Sequence, residues 1–136
     1  MPTPASAPFT VVSRPFELPA LGNVDVAGRA GFLVVFQSYC PPCAKGLTDA
    51  QAFATARPDV PVIGLDVDDL PSPAAAFLHD LHVDFASVAF AGDPGKELGI
   101  AGYPSVLAFH ASGRVVAVAV GDVYPDGYAD ELEKLG

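Results

Sequence analysis

A buried apolar run followed closely by two cysteines is the feature that most constrains how this chain folds. Residues 31–36 have the sequence Gly-Phe-Leu-Val-Val-Phe, which is typical of a strand buried on both faces of a parallel sheet. The segment Cys40-Pro-Pro-Cys43 follows, and residues 44–56 then carry apolar side chains at helical spacing. The sequence therefore predicts that both cysteines lie at the junction between a central strand and a helix.

The remainder of the chain alternates between predicted strands and helices. We expect edge strands at 9–13 and 16–18, further strands at 60–67, 83–90, 105–110 and 114–120, and helices at 73–82, 93–98 and 125–135. Strands that alternate with helices favour right-handed parallel crossovers, whereas the two strands around residues 111–113 form an antiparallel hairpin. The predicted fold class is α/β, with a central mixed β-sheet flanked by helices.

The length and composition indicate one folded domain. A chain of 136 residues is close to the usual size of a single domain. Hydrophobic residues make up 51% and charged residues only 17%, which excludes a disordered chain. We expect a single domain over residues 9–136, preceded by a flexible Pro-rich arm at residues 1–8.

The charge balance restricts the class of partner. Seven Lys and Arg residues stand against 16 Asp and Glu residues, so the net charge of −9 disfavours nucleic acid and anionic membrane surfaces. No apolar stretch approaches the ~18 residues of a membrane-spanning helix, so we expect no membrane insertion. We also expect a monomer. No positive charge followed by an apolar segment opens the chain, which favours the cytoplasm; a periplasmic or other extracytoplasmic location is the alternative, if a leader has been removed.

The position of the two cysteines determines their expected chemistry. The N-terminus of a helix carries about half a positive charge, which stabilises a thiolate and lowers its pKa from ~8.5 towards ~3.5–7.5. Cys40 at the mouth of the helix is accessible to a substrate, while Cys43 lies one turn further in. Pro41 suits the first turn, and the pair Pro41-Pro42 stiffens the loop. Lys45 either adds positive potential near the thiolate or is simply a solvated charge.

Two other interpretations of the cysteines remain open. Cys40 and Cys43 could be small buried hydrophobes, or they could join His79 and His82 in a zinc site with two Cys and two His ligands. The two histidines are closer in sequence than the usual zinc-finger spacing. We therefore interpret His79, His82 and His110 as surface or half-buried side chains and expect no metal.

A second signal lies at residues 99–105, Gly-Ile-Ala-Gly-Tyr-Pro-Ser, directly before a predicted strand. A proline cannot donate to a β-ladder, so Pro104 is expected at the entry to the strand, with a cis bond between Tyr103 and Pro104. The Tyr103 backbone would then face outward and pair with an extended substrate. A trans proline that merely begins the strand is the alternative.

Together these segments resemble the thioredoxin superfamily, and more narrowly its TlpA/ResA-type thiol–disulfide oxidoreductases. The matching segments are Leu33-Val-Val-Phe-Gln-Ser-Tyr-Cys-Pro-Pro-Cys43, Val62-Ile-Gly-Leu-Asp-Val-Asp68, residues 99–104 and Gly113-Arg-Val-Val116. The resemblance covers residues 9–135 and implies a thioredoxin fold. It also implies an extra helix and strand at 73–90, inserted between the helix that follows the cysteines and the cis-proline.

The resemblance also implies an activity. Cys40 and Cys43 would exchange a dithiol and a disulfide with protein substrates through a mixed disulfide, with no cofactor beyond this redox-active disulfide. The expected direction is reduction of the substrate. The implied partners are protein thiols or disulfides and an upstream reductase or thiol donor. The implied substrate contacts are Tyr39, Pro41, Pro42, Tyr103 and Pro104.

Several positions depart from the family pattern. Tyr39 replaces the usual Trp before the first cysteine, and Val34 occupies the position where thioredoxins keep a buried acid that deprotonates the second cysteine. Asp66 and Asp68, at the end of a predicted strand, are other candidates for this role. Ser105 follows the proline, where the cytochrome c maturation branch often has an acidic residue.

Two functions of other classes stay open as alternatives. A thiol peroxidase needs a Pro-x-x-x-Thr-x-x-Cys pattern, which does not precede Cys40. A copper carrier of similar fold would use Cys40, Cys43 and a distant histidine, although such carriers usually space their cysteines Cys-x-x-x-Cys.

Overall fold

A six-stranded mixed β-sheet forms the centre of the computed structural model, which describes residues 5–26, 28–67 and 70–135. The strands are β1 (Thr10–Glu17), β2 (Gly31–Phe36), β3 (Val62–Val67), β4 (Ser87–Phe90), β5 (Ser105–Phe109) and β6 (Arg114–Val120). Their spatial order is β1-β6-β5-β2-β3-β4. Strands β2, β3 and β4 are parallel, and β5, β6 and β1 continue the sheet with antiparallel pairs. The predicted mixed sheet is confirmed.

Four helices are described: α1 (Pro41–Ala56), α2 (Pro71–Asp80), α3 (Pro94–Leu98) and α4 (Pro125–Leu135). Alternate side chains of the fully buried β2 point to opposite faces of the sheet. On one face they pack against α1, α2 and α4, and on the other against α3 and apolar side chains from residues 16–26. The two buried layers explain why β2 is apolar throughout.

Aromatic rings join α1 and α4 to the sheet. The ring of Phe32 on β2 lies edge-on to Phe53 of α1 at 5.7 Å and to Tyr128 of α4 at 5.0 Å. Phe53 and Tyr128 stack on each other at 5.2 Å. Such ring pairs add about 0.5–1.5 kcal/mol each beyond the area that they bury. They fix α1, and with it the cysteine pair, on the sheet.

The strand register brings four chain segments to one end of the sheet, where β2, β3 and β6 finish and β5 begins. Parallel β2 and β3 end side by side, with Phe36 opposite Asp66. The first residue of β5, Ser105, pairs with Val35 on one side and with Val120 near the end of β6 on the other. Four segments therefore lie at this end of the sheet: those that follow β2, β3 and β6, and the one that precedes β5.

Several predicted boundaries were wrong. Helix α1 begins at Pro41 rather than at 44, because Cys40 is its N-cap and the two prolines need no N–H partner there. Helix α2 spans Pro71–Asp80 rather than 73–82. Strand β4 is shorter than the predicted 83–90 because the Asp84 N–H is bonded to the Gln51 side chain at 2.9 Å.

The first two predicted edge strands are one strand. Val11 pairs with Ala117 and Phe16 with Val115, so four residues of β1 lie opposite one residue of β6. Pro15 lies in this irregular stretch, where its missing N–H interrupts no regular ladder. The edge position predicted for this segment is confirmed.

The extra helix and strand of the implied insertion correspond to α2 and β4, and β4 forms the other edge of the sheet. Of the predicted arm, residues 1–4 lie outside the described residues, as does Asp68. Ser6 accepts a hydrogen bond from the Tyr124 N–H at 3.0 Å, and the Ala7 N–H donates to the Asp122 carbonyl at 2.8 Å. In the part of the chain that the structure describes, no helix has the length and apolar character to cross a membrane.

The buried hydroxyl of Tyr128 gives a test of the packing between α1 and α4. The side chain is fully buried, and its hydroxyl has no hydrogen-bond partner among the described residues. An unsatisfied buried hydroxyl costs about 1–3 kcal/mol. We expect Tyr128→Phe to raise the free energy of unfolding by about 1 kcal/mol in urea titrations of the oxidised protein. A loss of more than about 1 kcal/mol would contradict this description of the core.

Candidate active site

The two cysteines lie where β2 meets α1 and are joined by a disulfide, with 5.4 Å between their Cα atoms. Cys40 is the N-cap of α1, in extended backbone conformation, and its carbonyl accepts a hydrogen bond from the Cys43 N–H at 3.0 Å. Cys40 is half-buried at the surface, whereas Cys43 is completely buried in the core between β2 and α1. One sulfur atom can therefore meet a partner while the other is shielded.

Helix α1 provides the electrostatics of this pair. It is 16 residues long and has no acidic side chain in its first turn. The partial positive charge at its N-terminus is therefore not cancelled locally, and a thiolate on Cys40 would lie directly against it. We expect the pKa of the reduced Cys40 thiol to lie below that of a free cysteine.

A second segment lies beside the cysteine pair. The peptide bond between Tyr103 and Pro104 is cis, as the sequence predicted. Pro104 is buried, and its carbonyl accepts a hydrogen bond from the Gly121 N–H at 2.8 Å. The Ser105 hydroxyl donates to the Gly102 carbonyl at 2.6 Å and so closes the turn that leads into β5.

Gly46 is a residue of the site that the sequence analysis did not identify. It lies on the buried face of α1, three residues after Cys43. A Cβ atom at this position would lie 2.9 Å from Cγ of Pro104. The absence of a side chain is what allows Pro104 to pack directly on α1. A glycine inside an otherwise regular helix was the available sequence signal.

The residues predicted as substrate contacts lie on two segments, the start of α1 with the residue before Cys40, and the turn before β5. Tyr39 is 61% exposed, and Pro41 and Pro42 are also exposed on the first turn of α1. Tyr103 is half-buried and packs against the buried clusters on both faces of the sheet. Because Val35 pairs with Ser105, the end of β2 and the start of β5 bring these residues and Pro104 to the same end of the sheet.

The position of the usual buried acid is apolar. Val34 is completely buried and belongs to the same core cluster as Cys43. Asp66, at the end of β3, is buried and lines a cavity together with Ala74 and Leu78 of α2.

Lys45 is exposed, but its ammonium group is paired. Its ammonium group bonds the carboxylate of Asp49 at 2.7 Å and that of Asp122 at 2.8 Å, and it lies 4.5 Å from the centre of the Tyr124 ring. These hydrogen bonds, first to Asp122 and then to Asp49, raise the pKa of Lys45. Two carboxylates thus balance the positive charge that could have acted on the thiolate.

The residues of the zinc alternative are not assembled into a site. His79, His82 and His110 are exposed. Among the described residues, no three His, Cys, Asp or Glu side chains form a group that could hold a metal ion.

The mixed sheet and its flanking helices form a thioredoxin fold, which carries a Cys-x-x-Cys disulfide at the start of a helix. No protein-family model matches the chain, and no curated protein matches its sequence. Many solved structures do match the fold.

The structural neighbours are thiol–disulfide proteins. A thiol-disulfide isomerase from Corynebacterium glutamicum has a TM-score of 0.72 and 24% identity, over 95% of this chain and 96% of that one. A thiol:disulfide interchange protein of the thioredoxin family from Chlorobium tepidum has a TM-score of 0.72 and 19% identity, over 91% and 98%. A secreted Mycobacterium tuberculosis disulfide oxidoreductase has a TM-score of 0.68 and 17% identity, over 81% and 84%. The thioredoxin fold predicted from the sequence is confirmed.

The contact between Gly46 and Pro104 can be tested by adding one methyl group. Gly46→Ala would normally gain up to ~1 kcal/mol of helix propensity. Because the new Cβ would lie 2.9 Å from a buried proline ring, we expect a net loss of about 1 kcal/mol or more in urea unfolding.

Gly95→Ala in α3 is the matched control, since its nearest atom would be Oδ1 of Asp93 at 3.5 Å. This control is expected to leave stability unchanged or slightly higher. A Gly46→Ala variant more stable than the wild type would show that Pro104 does not press on α1.

Proposed function

We propose that this protein is an enzyme, a thiol–disulfide oxidoreductase that acts on protein substrates through Cys40 and Cys43. The observation that carries the proposal is the asymmetry of the pair. A half-buried Cys40 caps a helix with a bare N-terminus, and a completely buried Cys43 is already linked to it by a disulfide. The shared fold with thiol–disulfide proteins supports this assignment.

The proposed reaction conserves electrons through two exchanges. The Cys40 thiolate attacks one sulfur of a substrate disulfide, that bond breaks, and the other substrate sulfur leaves as a thiolate. Cys43 then attacks the Cys40 sulfur in the mixed disulfide, and the second substrate sulfur leaves as a thiol that carries the proton of Cys43. The substrate has gained two electrons, and the protein holds the Cys40–Cys43 disulfide seen in the structure.

The substrate is proposed to dock on the rim around Cys40. Tyr39 offers an exposed ring, Pro41 and Pro42 offer a rigid apolar surface, and the Tyr103–Pro104 segment flanks the pair from β5. An extended protein segment that carries a disulfide fits this arrangement. No cofactor enters the proposed reaction, since the two sulfur atoms carry the electrons.

We propose that the protein works as a reductant. A strongly stabilised thiolate makes a dithiol hard to oxidise and so makes the disulfide a strong oxidant. Here the cation nearest in sequence to Cys43, Lys45, is balanced by Asp49 and Asp122. Less stabilisation of the thiolate favours a lower potential. Such a reductant needs an upstream thiol donor as its electron source.

The location is proposed to be outside the cytoplasm. The cytoplasmic expectation has no support among the structural neighbours, two of which are described as secreted. Recovery of the protein in the cytoplasmic fraction of the cells that produce it would count against this proposal.

The monomeric state and the domain bounds remain predictions. Size-exclusion chromatography can check the monomer, and limited proteolysis can check a single domain over residues 9–136 with an arm at 1–8.

Matched cysteine variants test the assigned roles. We expect reduced Cys43→Ser to form a stable one-to-one covalent adduct with insulin, because Cys40 attacks and nothing resolves the mixed disulfide. Reduced Cys40→Ser is the control, and we expect at least tenfold less adduct because Cys43 is buried. Non-reducing electrophoresis and mass spectrometry measure both products. Equal adducts from the two variants, or none from either, would contradict the proposal.

A further inference from the structure

A side-chain cluster beside the cysteine pair ties α1 to the loop that follows β6. Lys45 projects from α1 and bonds Asp49 of its own helix at 2.7 Å and Asp122 of the loop at 2.8 Å. The ring of Tyr124, from the same loop, lies 4.5 Å from the Lys45 ammonium group. One cation thus holds two carboxylates and one aromatic ring.

The same loop also holds the segment before β5. The Gly121 N–H donates to the Pro104 carbonyl at 2.8 Å, and Pro104 packs on Gly46 of α1. Gly121 has a φ of +114°, a backbone conformation that residues other than glycine rarely adopt. The contacts therefore form a closed ring: α1, Pro104, Gly121, Asp122, Lys45 and back to α1.

Lys45, whose side chain is 65% exposed, supplies the positive charge that offsets the two carboxylates of this cluster. Asp122 is partly buried, and its Oδ1 atom has no hydrogen-bond partner among the described residues. Burial, together with the nearby Asp49 carboxylate, raises the pKa of Asp122, while Lys45 acts in the opposite direction. Without the ammonium group, the carboxylates of Asp49 and Asp122 would face each other directly, and their repulsion would push the loop away from α1.

We propose that Lys45 is a positioning residue that sets how closely the Tyr103–Pro104 segment approaches the Cys40–Cys43 disulfide. It acts through Asp122 and Gly121 and touches no reacting atom. A single exposed ion pair contributes little, but this cation is shared by two carboxylates and a ring, and it closes a ring of contacts around the site. Its consequence for substrate binding rests on the proposed oxidoreductase function.

The test compares four variants with a control: Lys45→Met, Lys45→Arg, Asp122→Asn, the double variant Lys45→Met/Asp122→Asn, and Lys134→Met. Lys134 lies on α4, 3.9 Å from Glu131, so the control removes one positive charge far along the other helix. The kcat and KM are measured for insulin reduction with dithiothreitol as the electron donor. The single-turnover rate of the reduced protein is measured with the small disulfide 5,5′-dithiobis(2-nitrobenzoate).

We expect Lys45→Met to raise the KM for insulin at least fivefold while kcat and the rate with the small disulfide change less than twofold. Lys45→Arg should restore KM to within twofold of wild type. Asp122→Asn should have a milder effect because Lys45 still bonds the amide oxygen. The double variant should be less impaired than Lys45→Met alone, since it removes the repulsion. A Lys45→Met variant that matches Lys134→Met, or that slows both substrates equally, would overturn the proposal.

A second measurement separates this proposal from the proposed function. Hydrogen exchange of the Gly121 amide reports its bond to Pro104 whether or not the protein reduces disulfides. We expect exchange at least tenfold faster in Lys45→Met than in wild type or Lys134→Met. Faster exchange in a protein that never reduces insulin would refute the proposed function but support the positioning role of Lys45. Unchanged exchange would refute the positioning role.

Discussion

The packing of the first turns of α1 between β2 and Pro104 is the constraint on which the site depends. On one side, the buried face of α1 lies on Phe32 and Val34 of the central strand. On the other, Gly46 receives the ring of Pro104 without an intervening side chain. The helix N-terminus cannot move relative to the sheet unless both contacts give way. Cys40 therefore remains at the surface and Cys43 remains beneath it.

The charges close to the N-terminus of α1 differ from the net charge of the chain. The chain as a whole carries −9, yet the first turn of α1 has no acidic side chain. The carboxylates of Asp49 and Asp122 are bound to Lys45. The helix N-terminus is thus left as the main source of positive potential at Cys40, which favours a reactive thiolate without the additional stabilisation that a free lysine would provide.

The elements that the sequence predicted correctly are those with a strong local pattern. The apolar run of β2, the cysteine pair and the proline before β5 each have a periodicity or a residue type with few alternatives, and the mixed sheet follows from their order. The range predicted for α1 began too late because apolar spacing begins only after the prolines, although Pro41 was expected in the first turn. Likewise, β4 was predicted too long because no local signal shows that Gln51 bonds the backbone of Asp84.

The tertiary contacts of the site could not be derived from the sequence. Lys45 and Asp122 are 77 residues apart, and nothing in either local pattern indicates that they meet. The same is true of Gly46 and Pro104, whose contact depends on how β5 pairs with β2. Such pairs require the register of the sheet, which alternation of apolar residues does not specify across long connections.

The most direct test of the account is a redox titration of the purified protein in glutathione or dithiothreitol buffers, with the Cys40–Cys43 disulfide quantified by thiol alkylation and mass spectrometry. We expect a reversible two-electron transition of one intramolecular disulfide, with a potential near the roughly −270 mV of thioredoxin. A potential near the roughly −120 mV of strong oxidants would contradict the reductant assignment. A protein that forms no intramolecular disulfide at any ratio would contradict the oxidoreductase itself.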